Sequence, residues 1–443
     1  MSSTAYTRAA WRRPTILPAE RVHALETLFA TILLGWVLVG TAFPDQVFRT
    51  MAGTLPAFGA IFALSGLALL RGGLRLRCHG PDIALLFLMI AGLTSLALSW
   101  LDFPALAAFP RDDRFILRQA YFLALLPLGV IAGQVLWRRF HDTLATFCVR
   151  HFVPLALMIM IGDWSTGYLL GTPGFEEFND YNLYLEKGTI WLIFGYVYLA
   201  RVMLGRGSPW LPFALLCTYF FGSLAIGYGS LFQATTGAIS FAVLAAATLL
   251  CRNLNLAGLA AMGIFAALAL LLAAGTIHPD LLKEDYNAWW RFTGWQYNFA
   301  ALWESGMLGI GFGTPYRPVA AENLEHAMRV TQAAREAWTA GAQPYDLIYM
   351  RTQHNSFVNL FFRTGLLGGM AFLLFNIGLL AAGLRAIASG DPLTRAHVAM
   401  AMFVFVLGAV EIALHVGLET PRFLIAYTLA ASLLSALLYG RRG

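Results

Sequence analysis

Several side chains that could bind an anion and move a proton lie in one short stretch of the sequence, between Arg351 and Arg363. Within it, His354 is the side chain that can gain and lose a proton near neutral pH, so it is the candidate general base. Asn355 follows it directly, and the two arginines supply positive charge. A site for an anionic substrate is one interpretation, and an interfacial histidine bonded to backbone is the other.

A second candidate group lies in an aromatic segment, residues 287–310, where Arg291 and Trp295 stand four positions apart. The segment runs into a glycine-rich sequence, GIGFGTPY at 309–316. Without a strand before it and a helix after it, this sequence does not indicate a nucleotide site. We expect the glycines to let the chain turn sharply beside a ligand or a helix end. Arg291 is a candidate anion ligand, or it extends to the membrane interface beside neighbouring tryptophans.

Three arginines, Arg111, Arg114 and Arg118, are spaced so that they share one face of a helix. The guanidinium fork suits the oxygens of a diphosphate, which makes Arg114 and Arg118 candidate substrate ligands. The alternative is that they pair with nearby carboxylates, either at 112–113 or in the acidic segment 176–186.

Glu411 and His415 stand four residues apart in a strongly apolar stretch. Ionisable groups inside a membrane span are costly and usually face a polar interior, so both are candidate substrate-binding residues. We expect them to orient each other or an arginine of the site. The His, Cys and carboxylate spacings of metal ligands do not occur, which predicts a site without a metal or another cofactor.

The composition indicates what kind of fold positions these groups. Hydrophobic residues make up 58% of the chain and charged residues 12%, about half the charged share of a soluble domain. We therefore predict an all-α polytopic membrane protein, with residues 1–443 forming a single integral membrane domain. The net charge of +6 is not gathered into a basic stripe, so nucleic acid is not an expected partner.

About twelve stretches are apolar enough to cross a bilayer, which takes about 20 residues per helix. They lie near 25–43, 54–70, 82–99, 119–137, 152–171, 189–204, 209–228, 231–250, 254–275, 362–384, 397–417 and 421–439. Arginine is concentrated in alternate connections, the pattern that marks the cytoplasmic side of a membrane. This pattern predicts cytoplasmic termini and places His354 on the opposite face.

The connection before the tenth span, residues 276–361, is too long to be a simple link in a compact bundle. Its aromatic part, 287–310, is interrupted by polar residues and predicts a helix at the membrane interface rather than across the membrane. Residues 319–340 have the pattern of an amphipathic helix bounded by Pro and Gly. Most candidate site residues therefore belong to this one outer segment or border it.

Taken in order, the motifs of this segment resemble those of the bacterial O-antigen ligase and Wzy-type polymerase superfamily. The resemblance rests on Arg291-x3-Trp295, GIGFGTPY at 309–316, and His354-Asn355-Ser356-Phe357 followed by Gly365 and Gly368. The number of spans and the large outer segment are also similar to that family, whose membrane architecture is GT-C-like. One motif differs, because the family often carries Ser-Arg-Gly near the eighth span, where this chain has Gln233-Ala-Thr-Thr236-Gly237.

The resemblance implies a membrane glycosyltransferase, with the functional histidine at His354 and the functional arginine at Arg291. Such enzymes move a glycan from undecaprenyl diphosphate to lipid A-core, or to another glycan in polymerases, at the periplasmic face of the bacterial inner membrane. Arg291, with Arg118 or Arg351, would stabilise the diphosphate leaving group. His354 would take the proton of the acceptor hydroxyl, and the anomeric centre would invert. Membrane lipids are the other expected partner.

A transporter of lipid-linked glycans or small solutes is the alternative from another functional class. Transporters place ionisable groups near the membrane midplane and often have repeated halves. Here the polar groups gather toward one face, and no repeat is visible in the sequence. These features favour an enzyme. The residues do not separate a ligase from a polymerase, and the ligase is our first hypothesis.

Overall fold

The part of the chain that the structure describes is almost entirely helical. This structure is a computed structural model that describes residues 24–42, 51–72, 78–101, 116, 119–170, 187–204, 208–225, 278, 286–313, 355–414, 418 and 421–439. Within these residues the chain is 90% helix and has no strand, which confirms the predicted all-α class.

Several predictions lie outside the described residues. They concern the spans near 231–250 and 254–275, the amphipathic helix at 319–340, and the side chains of Arg114, Arg118, Arg351, His354 and His415. The twelve-span count and the periplasmic position of residues 276–361 therefore stay predictions.

Ten helices make up most of the described part, and we number them along the chain. They are α1 (Ala24–Ala42), α2 (Met51–Gly72), α3 (Gly80–Trp100), α4 (Phe122–Leu170), α5 (Lys187–Leu204), α6 (Trp210–Ala225), α7 (Tyr286–Glu304), α8 (Ser356–Ser389), α9 (Pro392–Leu414) and α10 (Pro421–Tyr439). Helices α9 and α10 begin at a proline, whose fixed φ suits the first helical turn.

Five of these helices contain a stretch that is long and apolar enough to cross a membrane, in α2, α3, α4, α8 and α9. Four shorter apolar helices accompany them in the described part. Large apolar side chains also cover the outer surface of the bundle, and Leu367 is 79% exposed. Such a surface is unfavourable in water and suits lipid. The chain is therefore a multi-pass membrane protein.

Helix α4 differs from the sequence-based expectation. We predicted two spans, near 119–137 and 152–171, with a cytoplasmic connection between them, whereas residues 122–170 form one helix of 49 residues. The physical reason is visible in the sequence, because no Gly or Pro occurs from 134 to 153 to end the helix. Pro127 and Pro154 are accommodated inside it.

Polar contacts between helices define one end of the bundle, which we call the Glu26 end. The guanidinium of Arg139 on α4 forms a buried ion pair with Glu26 on α1, with nitrogen and oxygen 2.6 Å apart. Five residues earlier on α4, the amide of Gln134 donates to the carboxylate of Asp82 at 2.9 Å, close to the start of α3. These bonds hold α1, α3 and α4 together at the same level.

The opposite end, which we call the Asn355 end, joins the starts of α4 and α8 to the connection between α9 and α10. The hydroxyl of Tyr121 donates to the carbonyl of Leu418 at 3.1 Å. The N–H of Leu418 in turn donates to the hydroxyl of Ser356 at 2.9 Å. Asn355 lies directly before Ser356, so the candidate stretch found in the sequence begins at this end of the bundle.

Candidate functional site

A tight loop with four glycines, residues 305–313, follows α7 and is called the glycine loop below. Gly306, Gly309, Gly311 and Gly313 all have positive φ, between 63° and 81°. Glycine adopts this conformation without a steric penalty, whereas other residues pay for it. The predicted sharp turning of the chain at these glycines is confirmed.

The glycine loop packs against a break in α8. Gly365 has φ 72° and ψ −171°, so it separates a short helix, Ser356–Thr364, from the long helix that follows. Three backbone hydrogen bonds join the loop to this break: Ile310 N–H to Phe362 O at 2.8 Å, Gly311 N–H to Arg363 O at 3.2 Å, and Leu366 N–H to Met307 O at 2.9 Å. The loop therefore supplies bonding partners that a continuous helix would supply itself.

Close backbone packing requires glycine on both sides of this contact. A Cβ atom at Gly309 would lie 2.5 Å from the nitrogen of Gly365. A Cβ atom at Gly365 would lie 2.5 Å from the carbonyl carbon of Leu308. Because both neighbours are backbone atoms, they cannot move aside as a side chain would. The expected turn beside a helix end is thus observed, and its partner is the start of α8.

Arg363 lies at the centre of this contact and is fully buried. Its Nη1 donates to the carbonyl of Gly311 at 3.1 Å, and its own carbonyl accepts from the hydroxyl of Ser95 at 2.7 Å. Arg363 therefore ties the glycine loop to α8 and α3. We predicted it as a substrate ligand, and these contacts give it a positioning role in addition to that prediction.

Two side chains from other helices hold the last residues of the glycine loop. The N–H of Phe312 donates to the hydroxyl of Ser99 on α3 at 3.1 Å. The N–H of Gly313 donates to the side-chain oxygen of Gln119, just before α4, at 2.8 Å. All of these groups are buried, so water does not compete for the bonds. The loop is fixed along its whole length, as a binding or catalytic scaffold requires.

Asn355 directly precedes α8 and caps its first turn. Its side-chain oxygen accepts the N–H groups of Phe357 and Val358, at 2.9 and 3.1 Å. This is the N-cap arrangement, which satisfies donors that the first turn of a helix leaves open. The oxygen of Asn355 is thus occupied by the helix, and its predicted contact with substrate would use the amide nitrogen.

Helix α7, predicted from the sequence, carries a polar face that is turned into the protein. Arg291, Trp295 and Asn298 share this face, because they stand at positions i, i+4 and i+7. Only 5% of the surface of Arg291 is exposed, and the ring of Trp295 lies edge-on against Phe292 with centroids 4.6 Å apart. The side chain of Arg291 therefore lies in the interior of the protein. It does not extend to the membrane interface, which was the alternative interpretation.

Two further asparagines, which were not among the predicted site residues, have buried side-chain amides without a hydrogen-bond partner among the described residues. Asn298 on α7 and Asn359 on α8 are 1% and 0% exposed. Within the described part of the chain, neither side-chain amide has a hydrogen-bond partner, and the same holds for the Nε1 of Trp295. Their spacing was the available signal, because Asn298 is seven residues after Arg291 and Asn359 is four after Asn355.

Glu411 is buried near the last turn of α9, which ends on the same side of the bundle as the start of α8. No group of three His, Cys, Asp or Glu side chains that could hold a metal ion occurs among the described residues. The described site is thus formed by cations, amides, hydroxyls and backbone at the Asn355 end.

The chain was compared with protein-family models and with curated proteins. No protein-family model matches the chain, and no curated protein matches it.

Proposed function

We propose that this chain is a membrane glycosyltransferase of the O-antigen ligase type. It transfers a glycan from undecaprenyl diphosphate to a hydroxyl group of lipid A-core. The reaction takes place at the Asn355 end of the bundle, which faces the periplasm of a bacterial inner membrane in this proposal. The motif resemblance supplies the reaction class, and the buried polar surface of α7 beside the glycine loop supports it.

The single observation that carries the proposal is the position of Arg291. Burying a guanidinium group costs on the order of several kcal/mol unless the group is paired, so a buried arginine is a candidate for holding an anion. Arg291 shares a helix face with Trp295 and Asn298, and the helix leads directly into the rigid glycine loop. A diphosphate is a dianionic group of the kind that a guanidinium fork binds best.

The reaction requires one proton acceptor and one anion stabiliser. The acceptor hydroxyl oxygen attacks the anomeric carbon, and His354 takes its proton. The bond between the anomeric carbon and the diphosphate oxygen breaks, and its electron pair stays on that oxygen. Arg291 stabilises the resulting charge. Attack from the side opposite the leaving group inverts the anomeric centre, and no cofactor takes part in the proposed step.

His354 is assigned as the base because of its place in the sequence. It directly precedes Asn355, whose side chain caps α8 at the level where α4, α8 and Leu418 meet. Arg118, Arg351 and Arg114 are proposed as further diphosphate ligands, with Glu411 and His415 as orienting groups.

Transfer of labelled glycan by the purified protein tests this proposal. We expect His354→Ala to lower the transfer rate about 10²- to 10⁴-fold, the usual contribution of a general base. Arg291→Ala should lower it about 10²- to 10³-fold, and Arg291→Lys should retain part of the activity. His278→Ala is the matched control, because His278 belongs to the same outer segment and is exposed. Near wild-type transfer by the His354 variant would contradict the assignment.

The same preparation separates the competing functions. Transfer to lipid A-core identifies a ligase, and joining of two lipid-linked repeats identifies a Wzy-type polymerase. Movement of the lipid-linked glycan across a liposome membrane without any change in its bonds identifies a transporter, which would overturn the proposal.

A further inference from the structure

The open amide groups of Asn298 and Asn359 call for a polar partner. An unpaired buried amide costs roughly 1–3 kcal/mol, and native proteins rarely leave one unpaired. Two such amides, together with the indole N–H of Trp295, occur on just two neighbouring helices, α7 and α8.

Several contacts hold the end of α7 and the glycine loop against the start of α8. Ala301 on α7, Ile310 in the glycine loop and Phe362 on α8 form one buried apolar cluster. The N–H of Ile310 donates to the carbonyl of Phe362 at 2.8 Å, and the carbonyl of Met307 accepts the N–H of Leu366 at 2.9 Å. The two helices are therefore joined at this cluster.

Both asparagines lie close to this cluster along their own helices. Asn298 precedes Ala301 by three residues, and Asn359 precedes Phe362 by three residues, which is about one helical turn in each case. Residues three apart lie on neighbouring positions of the same helix face. Each open amide therefore lies about one turn from the apolar cluster that joins α7 and α8.

The chemistry of the open groups identifies the kind of ligand. A side-chain amide offers both donors and an acceptor, and the indole offers one further donor. This set carries no charge, so it matches a group that itself donates and accepts, such as a sugar hydroxyl or an acetamido group. A diphosphate only accepts, and it pairs better with guanidinium groups such as Arg291.

We propose that Asn298, Asn359 and Trp295 form a subsite for the uncharged sugar that is attached to the diphosphate. This inference rests on the proposed function and extends it. Arg291 lies on the same helix face as Asn298, two turns earlier, so the anionic and the neutral part of one donor meet adjacent groups. The subsite recognises sugar, and Arg291 recognises diphosphate.

Binding of two probes to the purified protein tests the subsite. One probe is undecaprenyl diphosphate, and the other is undecaprenyl diphosphate carrying a single N-acetylglucosamine. We expect the wild type to bind the sugar-bearing probe more tightly. Asn298→Ala and Asn359→Ala should each reduce this preference about fivefold, the effect of one lost hydrogen bond, and should leave the affinity for the sugar-free probe unchanged.

Asn376→Ala is the matched control. Asn376 is also a buried asparagine of α8, but both ends of its amide are paired, with Phe372 O at 2.9 Å and with the hydroxyl of Tyr427 at 2.8 Å. This variant should lower the melting temperature and keep the preference for sugar. An unchanged preference in both subsite variants overturns the inference, and so does a parallel loss of affinity for both probes.

Asn359→Leu keeps the test decisive if the alanine variants fold poorly. Leucine has a similar volume and removes the unpaired amide, so it should raise the melting temperature while the sugar preference falls. A higher melting temperature with an intact preference would mean that the amide holds no ligand.

If the wild type prefers the sugar-bearing probe but transfers nothing, the proposed reaction fails and the subsite stands. If it transfers glycan and the preference survives in every variant, only the subsite fails.

Discussion

The two ends of the helical bundle both bury polar side chains, but they treat them differently. At the Glu26 end, the ion pair of Glu26 with Arg139 and the bond from Gln134 to Asp82 are completed inside the protein, and one buried hydroxyl, that of Ser435, has no partner among the described residues. At the Asn355 end, the amides of Asn298 and Asn359 have no partner among the described residues. Buried polar groups that satisfy one another stabilise a fold, whereas unsatisfied ones indicate a place where something else binds.

The Asn355 end combines these unpaired amide groups with a rigid backbone. The glycine loop is bonded to the break in α8, and side chains from α3 and from the start of α4 hold its far end. A binding group is effective when the chain around it is held in place before the ligand arrives. In our proposal the two ends therefore have different roles, with structural support at the Glu26 end and ligand recognition at the Asn355 end.

The largest effect is expected where the loop meets the helix break. Gly309→Ala should destabilise the protein by about 4 kcal/mol, since it adds strain at positive φ and a clash with the backbone of Gly365. Melting temperature in detergent and the glycan-transfer assay measure the loss. Gly306→Ala is the control, because Gly306 also has positive φ but has no atom within 4 Å of its Cβ position. Equal losses in both variants would show that packing against α8 contributes nothing.

A smaller effect, confined to stability, is expected at the opposite end. Arg139→Met leaves Glu26 buried without its partner and should cost about 3 kcal/mol. The folded fraction should keep the wild-type affinity for a lipid-linked donor, which a binding assay at a temperature below melting can check. Combining it with Glu26→Leu should recover most of the stability. A change in donor affinity would break the distinction between the two ends.

The smallest effect is expected at a single bond of the glycine loop. Ser99→Ala removes the acceptor for the N–H of Phe312 and should cost about 1 kcal/mol. Because the loop then loses one of its fixed points, transfer should fall more than the small stability change explains. Thr94→Ala on the same helix is the control, since its hydroxyl only bonds the carbonyl of Ile90 within that helix. Transfer that falls equally in both variants would argue against a specific role for the loop.

Much of the fold could be predicted from the sequence, because membrane spans depend on runs of apolar residues. The predicted stretches at 54–70, 82–99 and 421–439 match α2, α3 and α10 to within a few residues. The continuity of α4 was missed because we read the arginines near its middle as a connection. A helix ends where its backbone bonding is interrupted, and charge alone does not interrupt it.

The site was harder to predict because its decisive contacts join distant parts of the chain. The sharp turn at the glycines was among the sequence-based expectations, whereas the position of Arg291 was open between an anion ligand and an extension to the membrane interface. The bond that Ser95 donates to Arg363 and the bond that Arg363 donates to Gly311 link positions 268 and 52 residues apart. Spacing along one helix cannot indicate which other segment packs against it. The spacing of Asn298 and Asn359 was visible in the sequence, but their burial and open amides became visible only in the structure.

The anchoring of the glycine loop also has a consequence for how this architecture can diversify. Gly313 is bonded to Gln119, and Asn355 caps α8, so the points where the intervening chain leaves and rejoins the body are both clamped. We expect chimeras that replace or lengthen residues 319–340 to fold normally. One residue inserted between Met307 and Gly311 should shift the bonding frame against α8 and disable the protein. We therefore expect changes of length to be tolerated between Gly313 and Asn355 and not within the glycine loop.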